Sequence, residues 1–170
     1  LVYEEKDKSN YISVDKSKYG KFIFIVSEAT MSSECRFLDA ANPNGEFKVF
    51  QPRMKDVLYH VTTLADRFLV RTNKDDAKNF KLMECPLNKT SAADWKEVIP
   101  VRNDVLLQGV EEFKDFIALN ERKDGLVKLR IRSIKDNSEH YIDFGEAAYA
   151  ANFGANPEYD THNLRYGYTS

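Results

Sequence analysis

Apolar and polar positions alternate along this chain in runs of about six residues, separated by turn-forming residues. Lys21 to Ser27 reads KFIFIVS, Arg67 to Thr72 RFLVRT, Phe116 to Asn120 FIALN and Leu126 to Ile131 LVKLRI. Runs this short, rich in Val, Ile, Phe and Tyr, predict β-strands, because branched and aromatic side chains pack well on a pleated surface. No segment keeps a helical period over ten residues. Ser91 to Glu97 (SAADWKE) fits one helical turn and fits a loop before a strand equally well.

The runs recur at a near-constant interval. A charged residue, Phe and then aliphatics stand at Lys21-Phe22-Ile23, Arg67-Phe68-Leu69 and Asp115-Phe116-Ile117. The Phe positions differ by 68 − 22 = 46 and 116 − 68 = 48, and a further 48 reaches Leu164. Arg36-Phe37-Leu38, Lys81-Leu82-Met83 and Lys128-Leu129-Arg130 keep the same step. The connector Pro52 to Leu58 is echoed at Pro100 to Leu106, and Phe47 has its counterpart at Trp95, both at an offset of 48.

A period in the mid-forties with about four short strands per unit predicts an all-β propeller. One blade has two apolar faces and covers neither, so successive blades need similar residues at similar places. A β-sandwich, the alternative, gives no reason for connectors to repeat at a constant interval. The expectation is a partial β-propeller of roughly three and a half four-stranded blades. The units fall at about 8–52, 53–100 and 101–144, with an incomplete one at 145–170. Leu1-Val2-Tyr3 and Leu164 to Tyr168 read as strands at the two ends, which suggests a piece of a larger propeller. A fractional ring leaves blade faces uncovered, so self-association as a homodimer is a further expectation.

Charge and cysteine usage narrow the partners. Lys plus Arg total 25 and Asp plus Glu 27, a net charge of −2 that gives no electrostatic reason to expect nucleic acid or a membrane surface. No apolar run approaches the ~20 residues that span a bilayer. Cys35 and Cys85 make neither a disulfide framework nor a metal-ligand spacing, and both sit among alternating apolar residues, as buried thiols of a reducing compartment do.

A search for chemistry finds no catalytic, cofactor-binding or metal-binding set. No G-x-S-x-G elbow occurs, and no phosphate-cradling Gly loop is present. His60, His140 and His162 have no Cys or His at ligand spacing, and read as surface or hydrogen-bonded structural residues. The pairs Glu4-Glu5, Asp75-Asp76 and Glu111-Glu112, taken as strand neighbours, point to opposite faces and so cannot work as acid/base couples. Asn88-Lys89-Thr90 matches the weak glycosylation pattern. Phe22, Phe68 and Phe116, equivalent in the repeat, are expected to pack between blades. Tyr166 and Tyr168 share a strand face and are expected to do the same.

Several strings together resemble the propeller of the oligopeptidase B (protease II) branch of the prolyl oligopeptidase family of serine peptidases. They are Leu1 to Asp7 (LVYEEKD), Met31 to Phe47 (MSSECRFLDAANPNGEF) and above all His140 to Ser170. Asp143-Phe144-Gly145-Glu146, Gly154 to Glu158 (GANPE) and Arg165-Tyr166-Gly167-Tyr168 are its most distinctive parts. The resemblance implies a seven-bladed parent propeller with a C-terminal α/β-hydrolase domain carrying Ser, Asp and His. It also implies cytoplasmic cleavage of short peptides after Arg or Lys, with the propeller excluding folded proteins. The catalytic positions of that family lie beyond Ser170, so none transfers to a residue of this chain. The partners implied are a peptide substrate and the hydrolase domain. A non-catalytic propeller serving as a protein-interaction module is the alternative.

Overall fold

The computed structural model describes residues 1–170 as an all-β chain built from antiparallel sheets in sequence order. The first sheet runs β1 (Tyr11–Lys16), β2 (Phe22–Glu28), β3 (Ser33–Asp39), β4 (Lys48–Gln51). The second holds β5 (Tyr59–Thr63), β6 (Arg67–Thr72), β7 (Lys81–Pro86) and β8 (Lys96–Ile99). The third holds β9 (Leu106–Glu112), β10 (Phe116–Lys123), β11 (Leu126–Ser133) and β12 (Glu139–Tyr141). A fourth sheet has two strands, β13 (Ala150–Phe153) and β14 (Tyr166–Thr169). In the three complete blades each strand pairs with its neighbours in the chain, so the pattern is the propeller meander expected from the repeat.

The repeat extends into backbone detail. The fourth strand of blade 1 bulges at Phe50, opposite Cys35/Arg36, and that of blade 2 at Val98, opposite Leu82/Met83, an offset of 98 − 50 = 48. Where β10 turns into β11, Asp124 and Gly125 both adopt positive φ (50° and 81°), the two-residue hairpin whose twist matches the flanking strands.

Period-two geometry explains why the second strand of each blade carries apolar residues on both faces. On β6, Phe68 and Val70 turn toward blade 1, while Leu69 between them turns toward blade 3. Between blades 1 and 2 the core is aromatic: the Phe68 ring lies 5.1 Å from Phe22 and 5.0 Å from Phe50. Between blades 2 and 3 it is aliphatic, with Leu69, Leu82, Ile117 and Leu119 buried together. A smaller layer of Val127, Leu129 and Ala151 joins blades 3 and 4. Tyr59, fully buried, pins the first interface with polar contacts. Its hydroxyl accepts from the Cys35 amide and donates to the Gln51 carbonyl, while its own amide donates to Ser33 Oγ.

Four expectations need correction. Leu1 to Tyr3 is not a strand: Leu1 and Val2 find no partner and stay exposed. That segment is held by side chains instead, with Arg36 over the Tyr3 ring and Ser27 donating to Glu5. The terminal strand starts at Tyr166, so Leu164, equivalent to Phe116 by spacing, lies just before it. Phe116 is only half-buried, stacked 4.3 Å from Phe113, because the two-stranded fourth sheet does not cover it. Tyr166 and Tyr168 do share a face, each against Phe144, yet both remain exposed for the same reason. In Ser91 to Glu97 both readings hold, since a 3-10 turn at Ala92–Asp94 leads directly into β8.

Candidate functional site

The first strands of the three complete blades share the lining of a cavity of about 600 Å³. Asp15 and Lys16 come from β1, Thr62 from β5, and Glu111 and Glu112 from β9. This inner wall is mostly polar, with Ser17 and Lys18 of the β1–β2 hairpin beside the strand residues. Lys18, in the β1–β2 hairpin, reaches past the second blade to pair with Glu111, and its ammonium lies 4.2 Å from the centre of the Phe113 ring. Glu112 is buried, and its burial raises the carboxyl pKa against the lowering effect of Thr62 and Lys18. Glu111 and Glu112 are strand neighbours, yet both line this cavity. The other two pairs are off strands altogether: Asp75 and Asp76 occupy a turn at positive φ, and Glu4 and Glu5 precede β1.

The histidines are scattered. His60 is half-buried on β5, with Nδ1 3.7 Å from Glu28, and burial, reinforced by Arg71, lowers its pKa to about 4. His140 and His162 are exposed at the blade 3–blade 4 junction. Cys35 and Cys85 are free, buried in one apolar cluster, and burial pushes both thiols up to about 12. Such thiols carry negligible thiolate at neutral pH and are poor nucleophiles. No three His, Cys, Asp or Glu side chains gather as metal ligands. Asn88 is exposed in the turn after β7.

Two polar arrangements were not foreseen. Glu121 on β10 is buried and takes Arg130 Nη2 at 2.5 Å on one oxygen, with Arg102 Nη2 at 2.6 Å and the Tyr141 hydroxyl at 2.7 Å on the other. Glu139 extends the network by bridging Arg130 and Arg132. A signal for it existed: Ile117, Leu119 and Glu121 are two apart on one strand, so an ionisable residue stands at a core-face position and demands partners. The second arrangement is the loop 154–165, whose contacts cross three blades and leave no local trace in the sequence.

Comparison with known proteins agrees with this architecture. The family described as "Prolyl oligopeptidase, N-terminal beta-propeller domain" matches residues 1–170. The chain is 45% identical over 170 residues to dipeptidyl aminopeptidase BI of Pseudoxanthomonas mexicana, covering 100% of this chain and 23% of that protein. It is 30% identical over 170 residues to Protease 2 of Moraxella lacunata, covering 100% of this chain and 24% of that protein. Oligopeptidase B from Trypanosoma brucei, solved in a closed form with covalently bound antipain, superposes with a TM-score of 0.91 at 28% identity. That match covers 99% of this chain and 25% of the other. The chain therefore spans about a quarter of the length of the relatives it matches. With its blade repeat, its sheet order and a match along every residue, the chain belongs to the N-terminal β-propeller domain family of prolyl oligopeptidases.

Proposed function

We propose that this chain is the substrate-filtering part of an oligopeptidase-B-like serine endopeptidase that cleaves short peptides after Arg or Lys. The observation that carries the reading is the match of all 170 residues to an N-terminal propeller domain, in relatives about four times as long. The bond-breaking groups, a Ser nucleophile activated by His and oriented by Asp, belong to an α/β-hydrolase domain outside residues 1–170. The propeller contributes selection by access, admitting flexible peptides and rejecting folded chains. The isolated chain hydrolyses nothing. Its two buried free thiols suit a reducing cytoplasm.

The test is to read the coding sequence downstream of Ser170. A G-x-S-x-G elbow between a strand and a helix, followed by Asp and then His, supports the serine peptidase. An unrelated domain would favour the interaction module instead.

One observation favours a second reading of the cleavage pattern. The 45% identity is to a protein named a dipeptidyl aminopeptidase, against 30% to Protease 2. Release of dipeptides from a free amino end is then the activity, and blocking the substrate's amino group separates the two, since only the endopeptidase tolerates the block.

The isolated chain is also proposed to form a two-fold dimer, through the free edge of β14 and the exposed Tyr166 and Tyr168. Sedimentation at the mass of one 19.6 kDa chain at high concentration would refute this.

A further inference from the structure

The 12 residues between Phe153 and Tyr166 do not form an open loop. Asn156, buried at the base, donates from Nδ2 to the carbonyls of Gly154 and Arg165 and accepts from the Arg165 amide at 2.7 Å. Arg165 in turn pairs with Glu158 at 2.6 Å. A side-chain amide bonded to both ends of a loop fixes its base, so the loop projects as a preformed unit.

At its tip stands Tyr159, which touches the inner turn of every complete blade. Its ring lies 4.9 Å from that of Tyr19 in the β1–β2 hairpin, edge to face. Its hydroxyl accepts from the Ala65 amide between β5 and β6 at 3.2 Å. Its carbonyl accepts from the Lys114 amide between β9 and β10 at 3.0 Å, and Lys114 Nζ pairs with Asp160 at 2.8 Å. Pro157 of the same loop lines the inner cavity of about 600 Å³. Blades 1 and 3 are not neighbours, and apart from Lys18 on Glu111 and Phe113, this loop is what joins their turns.

We propose that segment 154–165 is a strap closing this end of the inner wall, with Tyr159 as its latch. Held, it locks the inner turns of blades 1, 2 and 3 together. Released, it lets those turns separate and opens the cavity beside Pro157 to a peptide. The inference rests on the reading of the propeller as a filter, and names the residue that sets the filter at this end.

Amide hydrogen exchange on the chain carrying Tyr159→Ala or Tyr159→Phe tests the latch, with Leu69 and Leu119 in the core as controls for global unfolding. Tyr159→Ala should speed exchange at both Ala65 and Lys114 by tenfold or more while the core amides stay protected. Both variants keep the backbone carbonyl to Lys114, but only Tyr159→Phe keeps the ring that seats it against Tyr19, so Tyr159→Phe should speed Ala65 alone. Lys114 protection unchanged in Tyr159→Ala overturns the latch. The gate is read in the full-length polypeptide, where Tyr159→Ala should raise kcat/KM for long peptides over short ones by at least threefold. Faster exchange with unchanged length preference overturns the gate. Absence of peptide hydrolysis in the unaltered full-length polypeptide is a separate result, and counts against the peptidase reading instead.

Discussion

Phe22 on β2 and Phe68 on β6, one repeat apart in sequence, meet ring to ring at 5.1 Å between the first two blades. They meet because they hold different places in the blade: Phe22 looks forward to blade 2, whereas Phe68 looks back to blade 1, as Ile117 of blade 3 looks back to blade 2. Phe68 is wholly buried among Phe22, Phe24, Phe37 and Phe50, whereas Phe116 is half-exposed. Replacing Phe68 by Ala should therefore destabilise the chain by about 3–5 kcal/mol, as removal of a buried aromatic does. Phe116→Ala should cost about half as much or less, since less of its surface leaves water. Urea unfolding of both variants checks the ranking, and equal losses would contradict it.

Glu121 and Glu111 form ion pairs in different surroundings, and the difference sets their worth. Glu121 is 1% exposed and holds Arg130 at 8%, so removing its charge strands a buried guanidinium. Glu121→Leu should cost about 3–5 kcal/mol. The Lys18–Glu111 pair is partly solvated at the cavity edge. Glu111→Gln should cost about 1 kcal/mol or less, and less again in high salt. Denaturant midpoints at low and high salt separate the two cases.

His60 makes stability depend on pH in a definite direction. Burial, and then Arg71, lowers its pKa to about 4, and these outweigh the Glu28 carboxylate at 3.7 Å. The unfolded chain takes up this proton near pH 6.5, before the folded one does. The contribution of neutral His60 is complete above pH 6.5 and is lost as pH falls toward 4. A His60→Asn variant should flatten the stability profile over that window, measured as the urea midpoint against pH. A profile as steep as that of the unaltered chain would contradict the assignment.

Cys35 and Cys85 should be silent toward thiol reagents in the native state, because both are buried and their pKa values are raised to about 12. Two thiols should appear on unfolding in urea. Rapid native labelling of either one would mean that the aromatic core between blades 1 and 2 opens readily.

Blade organisation was legible in the sequence because propeller packing acts on every unit alike, and so repeats the Pro52 connector at Pro100 and Phe47 at Trp95. The spacing of Phe22 and Phe68 hid a shift of one place, since the hairpin of blade 1 closes at Phe22 and that of blade 2 at Arg67. The limits of that logic lie where neighbours differ. Phe116 obeys the repeat but meets a two-stranded sheet, so its position in the period overstates its burial. Leu1 to Tyr3 carries strand-forming residues but joins no ladder, and side chains hold the segment instead. Glu121 could have been found from its place on an apolar face, though its partners Arg102 and Tyr141 arrive from other elements. Tyr159 offers no such clue. Its contacts with Ala65 and Tyr19 span the inner turns of separate blades, and only the fold brings them together.

The role proposed for these residues is that of the filter, and not the engine, of a peptidase. The most direct measurement compares residues 1–170 with the full-length polypeptide on fluorogenic peptides ending in Arg or Lys. The account predicts turnover by the full-length polypeptide, abolished by a serine-directed inhibitor, and none by residues 1–170. Turnover by residues 1–170 alone, surviving repurification, or a full-length polypeptide that cleaves no such peptide, would contradict it.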